Sequence, residues 1–288
     1  MVIIRPPSEA NSFLLPVTIG CSNNTCTFCG TYNSIEFRIR KLEDIKRDID
    51  NVARNHSRSV SRVFLENGDA IIAPQYMLVE VLRYLNDSFP ELDRIGTYAT
   101  PGAALVKSID ELRELNELGL KIAYMGVETG DPELLQKIKK GATYDQIVEA
   151  GSKLKQAGIT TSVTVILGLG GVEGSESHAL ATGRILTDIG PDFAGALTLM
   201  LVPGAPLYKD WQEGRFSPIS PLQSLVELKL IIGSSNFTNC FFTANHASNY
   251  LPIKARLPRQ KAAVIEMIDG VLSERDLSRL RPEITRAL

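Results

Sequence analysis

Residues 14–30 read LLPVTIGCSNNTCTFCG, an apolar run that leads directly into a loop with three cysteines. Cys21, Cys26 and Cys29 have the spacing CxxxxCxxC, and the fourth cysteine, Cys240, is distant in the sequence. Three clustered thiolates can hold a metal ion or cluster and leave one coordination position open. An open position permits chemistry at the metal, which a closed four-ligand structural site does not. The loop therefore predicts a reactive metal centre that follows a strand.

Two alternatives for the cysteine loop start from the same residues. A structural zinc site would use a fourth Cys or His, and Cys240, His56, His178 and His246 are the residues that could supply it. Inert buried cysteines are disfavoured, because three of the four cysteines occupy one glycine-flanked loop.

The bulk composition is that of an ordinary globular protein. The chain has 288 residues, 44% hydrophobic and 22% charged, with a net charge of −2. Because there is no basic surplus, a nucleic-acid partner is not indicated. No apolar run approaches the roughly 20 residues that span a bilayer, and residues 1–7 lack the features of a signal peptide. We therefore expect a cytoplasmic protein with no membrane contact, in which clustered cysteines have a metal-binding or redox role and do not form disulfides.

Apolar, strand-like segments alternate with amphipathic helical segments along most of the chain. The predicted strands cover residues 14–19, 61–65, 94–98, 121–127, 160–167 and 194–202. The predicted helices cover residues 42–52, 74–85, 108–118, 132–139, 144–157 and 176–189. Repeated strand–helix units with buried strands predict parallel pairing through right-handed crossovers.

Six units are too few for a complete eight-stranded barrel. The sequence therefore predicts an α/β fold, a partial (βα)6 TIM-like barrel, with an open twisted sheet as the alternative. After Pro203-Gly204 the pattern changes to a helix at 222–232, an extended segment at 239–243 and a helix at 260–272. We interpret residues 1–214 as the core. Residues 215–288 are then a C-terminal α+β appendage that closes the barrel and is not independent, because no clear linker precedes it.

Four further motifs stand at the ends of predicted strands two, four, five and six. They are ENGD at 66–69, MGVETG at 125–130, LGLGG at 167–171 and LMLVPG at 199–204. The carboxyl ends of parallel strands meet at the edge of the sheet where α/β enzymes bind their ligands. The motifs therefore predict one site that also includes the cysteine loop.

Together these features resemble the radical S-adenosylmethionine (SAM) superfamily. In that superfamily an aromatic residue, here Phe28, often precedes the last cysteine, and the common spacing is CxxxCxxC. The loop of this chain has one extra residue in the first gap. The stretch MGVETG, followed by Leu134-Leu135 and IKKG at 138–141, is similar to a signature of the HemN/MiaB-like branch. The resemblance extends over residues 14–210 and is to small stand-alone members of the superfamily.

This resemblance implies two cofactors. Cys21, Cys26 and Cys29 would bind three irons of a [4Fe–4S] cluster, and the fourth iron would bind the amino and carboxylate groups of S-adenosyl-L-methionine. Reductive cleavage of SAM would yield a 5′-deoxyadenosyl radical that takes a hydrogen atom from the substrate. A one-electron reductant such as flavodoxin or ferredoxin is then a partner.

The resemblance also implies residues that bind SAM. Glu66, Asn67 and Asp69 suit its ammonium group, and Glu128 is a further ligand. Arg184 suits the SAM carboxylate, unless it is a surface arginine. The remaining candidates are Phe28, which could shield the cluster or stack on a ligand; Gly68; Gly168 and Gly170, which permit close approach to the adenosine; and Val202, whose backbone would meet adenine.

Three C-terminal or helical residues have open roles. His246, in a polar stretch after residues 240–242, could donate a proton or bind substrate, or it could be a satisfied histidine in a structured turn. Cys240 could be a further ligand or a hydrogen donor, but a core position is favoured because cysteine is so often buried. His178 could face the site or lie at the surface.

The function hypothesis is a radical SAM enzyme that abstracts hydrogen from a small or medium substrate. Oxidative decarboxylation, methylation and modification of a peptide or nucleoside all remain open. The alternatives are a non-catalytic iron–sulfur electron or cluster carrier and a zinc-stabilised barrel.

Overall fold

The computed structural model describes residues 5–32, 35–274 and 277–287. The chain divides into two compact units. The first comprises Met1–Asn24, Thr31–Met125 and Glu149–Thr161, and the second comprises Thr25–Gly30, Gly126–Val148 and Ser162–Leu288.

The described residues form ten strands. They are β1 (Phe13–Pro16), β2 (Thr18–Ile19), β3 (Arg38–Ile39), β4 (Arg62–Glu66), β5 (Arg94–Ala99), β6 (Leu120–Glu128), β7 (Thr160–Leu167), β8 (Phe193–Thr198), β9 (Cys240–Thr243) and β10 (Lys254–Leu257). The larger, mostly parallel sheet has eight strands, and β2 and β3 form a small antiparallel sheet.

The same residues form ten α-helices. They are α1 (Leu42–His56), α2 (Gln75–Ser88), α3 (Pro101–Val106), α4 (Ile109–Glu117), α5 (Pro132–Lys137), α6 (Tyr144–Gln156), α7 (Gly171–Ile189), α8 (Pro206–Gln212), α9 (Pro221–Ser234) and α10 (Lys261–Glu274). In the described part of the chain, no helix has both the length and the apolar character that crossing a membrane requires.

In the first unit, β1 pairs in parallel with β4, β4 with β5, and β5 with β6. Phe64 of β4 contacts Tyr98 and Tyr124 edge to face, with ring centroids 5.0 and 5.7 Å apart. The N-terminal segment is fixed to this group by Glu9, which is fully buried and accepts hydrogen bonds from Arg94 at 2.6 Å and Tyr124 at 2.5 Å. A buried carboxylate needs such donors to offset its desolvation.

In the second unit, β7, β8 and β9 are parallel neighbours, and β10 pairs antiparallel with β9. The segment after residue 214 therefore adds strands to the sheet. Helix α9 packs against α7 and α10. Its approach to α7 requires a glycine at position 183, because a Cβ there would clash with Ser234 Oγ.

The predicted α/β class is confirmed, and the six predicted strands correspond to β1 and β4–β8. Predicted strand 14–19 is split, because β1 ends at Pro16 and Thr18–Ile19 pairs instead with β3. Predicted strand 194–202 ends at Thr198, because its neighbour β7 ends at Leu167 and turns away at Gly168. Helices α3 and α8 and strand β10 were not predicted. The division of the chain at residue 214 stays a prediction.

Candidate functional site

Cys21 lies against the turn that follows β4. Gly68 donates its N–H to Gly20 O at 3.0 Å, and a Cβ at position 68 would come within 2.5 Å of Cys21 Cβ and 2.9 Å of its Sγ. Only glycine permits this approach. Gly68 therefore leaves the space that the side chain of Cys21 occupies.

Asn67 precedes this glycine and has an unusual backbone and side chain. Its φ is +74°, in the left-handed region that non-glycine residues seldom adopt. It is 1% exposed, and its Nδ2 has no hydrogen-bond partner among the described residues. Buried polar groups are almost always paired, so a strained backbone with an unpaired amide indicates a ligand site.

Glu66 and Asp69 flank Asn67 and are both buried. Burial raises the pKa of Glu66, and Arg5 opposes this shift. Asp69 is occupied by protein donors: it accepts hydrogen bonds from Ser22 Oγ, from Thr100 N at 3.1 Å and from Thr100 Oγ1 at 2.8 Å. Asp69 therefore fixes the residue after Cys21, a contact that the sequence analysis did not foresee.

Cys26 and Cys29 belong to the second unit, where Cys29 N–H donates to Cys26 O at 3.3 Å. The short loop between them is held by Thr27, whose N–H donates to Ile138 O at 2.9 Å and whose carbonyl accepts from Leu207 N at 2.8 Å. Cys26 Sγ lies 3.8 Å from Lys139 O. All three loop cysteines are partly exposed.

The rest of this loop packs on the core of the second unit. Phe28 is partly buried against Leu134, Ile138, Leu207 and neighbouring apolar side chains. Gly30 faces Val202, because a Cβ at position 30 would lie 2.8 Å from Val202 Cγ1. Phe28 and Val202 therefore contribute packing contacts that hold the cysteine loop in place.

Glu128 ends β6 with φ +64°, the second strained residue among the predicted ligands. Its carboxylate forms an ion pair with Lys140 at 2.7 Å, and both side chains are about nine-tenths buried. Gly126 is required beside them, since a Cβ there would clash with Glu128 Oε1 and lie 2.9 Å from Lys140 Nζ. The Glu128 side chain is thus fixed before any ligand binds.

The glycines after β7 form the next turn. Gly168 has φ +80°, and its N–H donates to Glu227 Oε1 at 2.5 Å. Gly170 is the N-cap of α7, and a Cβ there would lie 2.8 Å from Gly174 O. Both positions require glycine.

A cavity of about 450 Å³ lies in the second unit at the carboxyl ends of β7 and β8. Gly168 and residues 199–201 line one side of it, so two of the predicted adenosine-side motifs meet there. The size is typical of sites for small molecules and cofactors. Further lining comes from Tyr208, Trp211, Pro218, Ile219, Tyr250, Glu283 and Arg286.

Arg286 fixes the wall of this cavity. Its guanidinium donates to Leu199 O at 2.9 Å, to Ser248 O at 2.7 Å and to the Tyr250 hydroxyl at 2.6 Å. The same group lies 4.3 Å from the centre of the Tyr250 ring, within the range of a cation–π contact. A guanidinium has five N–H donors in one plane, so it can bond to several acceptors at the same time.

The surroundings of three candidate residues give no support to a ligand role. His246 is half-buried with Nδ1 3.0 Å from Ser248 Oγ, and burial, followed by Arg281, lowers its pKa. Arg184 is exposed beside Tyr144, a position that gives a SAM contact no support. Burial raises the pKa of Cys240 to about 12, as for a core thiol. The roles of His246 and Arg184 stay predictions.

Comparison with known proteins decides the family. The sequence profile of the radical SAM superfamily matches residues 15–181, more than half of the chain. This chain belongs to the radical SAM superfamily. Radical SAM proteins use a [4Fe–4S] cluster and SAM, and the chain is accordingly an enzyme of this class.

Solved structures of other proteins share the fold of this radical SAM protein. Coproporphyrinogen III oxidase (HemN) from Escherichia coli has a TM-score of 0.60 at 18% identity, over 77% of this chain and 51% of that one. Methylornithine synthase (PylB) has a TM-score of 0.53 at 22% identity, over 78% and 63%.

A curated relative, tRNA uridine(34) acetyltransferase from Methanocaldococcus jannaschii, is 26% identical over 110 residues. These residues are 38% of this chain, which spans only 20% of the length of that relative.

The residues of this radical SAM chain fit the two cofactors. Three partly exposed thiols would provide the ligand set, Gly68 leaves space beside Cys21, and the Asn67 amide lacks a partner among the described residues. Within the described ranges, no three His, Cys, Asp or Glu side chains are arranged around one metal ion. Family membership favours a [4Fe–4S] cluster over the zinc alternative, and a cluster can bind each thiolate at a different iron.

Proposed function

We propose that Cys21, Cys26 and Cys29 bind a [4Fe–4S] cluster and that the adjacent β4 turn binds SAM for hydrogen abstraction from a small or medium substrate. The observation that carries this proposal is the buried Asn67 amide, which has no hydrogen-bond partner among the described residues and lies beside the glycine that makes room for Cys21. Bound together, the two cofactors supply a carbon radical that removes a hydrogen atom from the substrate.

The two ends of the amino-acid part of SAM have different partners in this proposal. Asn67 Nδ2 is a hydrogen-bond donor, so it suits the carboxylate of SAM and not the ammonium group. Glu66 is an acceptor and suits the ammonium. Because burial raises the pKa of Glu66, a bound cation would favour its charged form and gain a charge-assisted hydrogen bond.

The adenosine part of SAM fits the cavity of the second unit. The backbone of Gly168 and residues 199–201 offers hydrogen-bonding groups on one side. The side chains of Pro218 and Ile219 add apolar surface to the lining and would limit the access of water to a reactive species. Phe28 and Val202 contribute by supporting the cysteine loop.

Electrons would enter through the exposed side of the loop. All three cysteines are partly exposed, so a protein reductant of the flavodoxin or ferredoxin class can approach the cluster closely. The protein groups then need only hold the cofactors and the substrate in position, since the cofactors supply the difficult chemistry.

The substrate of the curated relatives is not carried over to this chain. The match covers 38% of the chain and 20% of the relative, and the net charge of −2 offers no general attraction for a polyanion. A carrier function is disfavoured, because electron transfer alone does not need a second ligand site at Asn67.

Anaerobic reconstitution with iron and sulfide tests the proposal. We expect a brown protein that releases 5′-deoxyadenosine when SAM and dithionite are both present, and none when either is omitted. A reducible cluster whose spectrum does not respond to SAM would instead support the carrier. A colourless protein that holds zinc without sulfide would support the zinc-stabilised barrel.

A further inference from the structure

Helix α9 carries a carboxylate into the core of the second unit. Glu227 is 0% exposed, although most residues of this type lie at the surface. Its Oε1 accepts the N–H of Gly168 at 2.5 Å, and its Oε2 accepts the hydroxyl of Ser175 at 2.5 Å. The carboxylate thus holds the backbone of the β7 turn (residues 168–171) and the first part of α7.

His178 lies beside this carboxylate and is equally buried. Its Nε2 is 3.1 Å from Ile166 O and 3.4 Å from Glu227 Oε1. Because a carbonyl and a carboxylate only accept, Nε2 carries a proton. His178 therefore contacts the end of β7 two residues before Gly168.

The other ring nitrogen reaches the turn after β6. Nδ1 is 2.7 Å from Thr129 Oγ1 and 3.3 Å from Thr182 Oγ1. These hydroxyls in turn accept backbone N–H groups, Thr129 from Asp131 at 3.0 Å and Thr182 from Gly130 at 3.1 Å. One histidine is thus joined to the residues that directly follow Glu128.

We propose that Glu227 and His178 are positioning residues that hold the turns after β6 and β7 in the geometry that binds SAM; this inference rests on the proposed function. The two turns carry Glu128 and Gly168, and the pair contacts both without facing the cavity itself. Well-packed apolar residues would often be at least as stabilising as a buried pair of polar groups. Preorganised binding requires that both turns be held in a fixed geometry. This buried pair can hold them, because its hydrogen bonds reach groups in both turns.

The central test is the substitution Glu227→Ala in the reconstituted protein. The Gly168 N–H then loses its acceptor, and we expect the Kd for SAM to rise about tenfold. Iron and sulfide content should not change, because Glu227 does not contact the cysteine loop. The rate of 5′-deoxyadenosine release at saturating SAM should change less than the Kd, since the reacting atoms are untouched.

Two further variants separate positioning from folding. Glu227→Gln keeps an oxygen that can accept from Gly168, so it should restore most of the affinity for SAM. Ser224→Ala is the matched control: Ser224 is buried on the same helix, but its hydroxyl bonds only to Pro221 O at 2.6 Å. It should lower thermal stability without changing the Kd. If Glu227→Ala does not fold, Thr129→Val removes the contact with His178 and should raise the Kd several-fold.

The outcomes are distinguishable from those of the proposed function. Wild-type protein that holds a cluster yet neither binds nor cleaves SAM would overturn both proposals. Wild-type cleavage with an unchanged Kd in Glu227→Ala, or in Thr129→Val where Glu227→Ala does not fold, would overturn the positioning role alone. An equal loss of affinity in Ser224→Ala would do the same, because the effect would then be one of general stability. Equilibrium dialysis with SAM and thermal unfolding of each variant measure both quantities.

Discussion

The turn after β4 (residues 66–69) and the turn after β7 (residues 168–171) both follow parallel strands, yet they satisfy their polar groups differently. In the β4 turn, the Asn67 amide has no partner within the described part of the chain. In the β7 turn, Gly168 N–H bonds to Glu227 and Gly171 N–H bonds to Gly168 O at 3.0 Å. The β4 turn thus has a side-chain donor without a partner among the described residues, whereas two backbone donors of the β7 turn are paired.

This difference indicates how each turn would take part in binding. An unpaired buried amide destabilises the free protein by about 1–3 kcal/mol and gains a partner when a ligand arrives. A paired glycine turn gains little from a ligand, but it offers a fixed surface to approach. Substitution of an unpaired group should therefore reduce ligand binding, whereas substitution of a paired group should first reduce stability. Binding should fall with a paired group only where that group holds a turn that the ligand approaches, as Glu227 does.

The strongest test of this distinction uses two cysteines. Cys26→Ala removes a partly exposed thiol, and we expect cluster content and SAM cleavage to fall to background with the fold retained. Cys240→Ala removes a buried thiol and should cost about 0.5–3 kcal/mol of stability while cluster content is unchanged. Iron and sulfide assays with urea unfolding measure both. Full activity in Cys26→Ala would refute the ligand assignment.

Lys140→Met tests a paired region. It would leave the buried Glu128 carboxylate without its cation, so we expect a loss of about 3–5 kcal/mol in the free energy of unfolding. Lys137→Met is the control, since Lys137 is exposed on the preceding helix and should change stability by less than about 0.5 kcal/mol. Identical urea midpoints for the two variants would contradict the importance of the pair.

Asp69→Asn tests the paired carboxylate of the β4 turn, which is two residues from the Asn67 amide. With its oxygen in the place of Oδ2, the amide can still accept from Ser22 Oγ and Thr100 Oγ1, but its NH2 group then faces the Thr100 N–H, which loses its acceptor. We expect a loss of about 1.5–3 kcal/mol, seen in urea unfolding of the protein before reconstitution. The exposed Asp93→Asn serves as control. A stable variant that fails only to bind SAM would show that Asp69 belongs with the ligand groups after all.

Asn67→Gly should give the smallest effect and the most specific one. Glycine adopts φ +74° freely and removes the unpaired amide, so stability should rise by about 1 kcal/mol. Affinity for SAM should fall about tenfold, because the proposed donor is lost. Lys139→Gly is the matched control: it relieves a similar φ of +54° in an exposed residue and should leave the affinity unchanged. Unaltered SAM binding in Asn67→Gly would argue against the proposed donor.

Much of the fold could be predicted because its signals are local. The β-branched run at 160–167 is the same as strand β7. The helix predicted over residues 108–118 begins with a capping box, in which Glu111 N–H donates to Ser108 Oγ at 3.1 Å and Ser108 N–H donates to Glu111 Oε2 at 2.7 Å. Helix α7 was predicted to begin at residue 176 and begins at Gly171, because its glycines have poor helix propensity and obscured the start.

The parts of the site that could not be predicted depend on distant contacts. Glu227 is 59 residues from Gly168, and Arg286 is 87 residues from Leu199. A glutamate on an amphipathic helix is ordinarily a surface residue, so no pattern in residues 221–234 marks Glu227 as buried. The motif Glu66-Asn67-Gly68-Asp69 was found from the sequence. Only the structure distinguishes the amide without a partner from the carboxylate that holds Ser22.

The contact between Arg286 and Leu199 has a consequence for timing during synthesis. At about 5–20 residues per second, the 87 residues that separate the two take roughly 4–17 s to translate. Strand β8 therefore leaves the ribosome well before the arginine that fixes the cavity wall exists. Until then, the carbonyl of Leu199 and the ring of Tyr250 lack this partner. The cavity wall is completed only after Arg286 has been synthesised, so a cofactor that needs this wall cannot be retained before then.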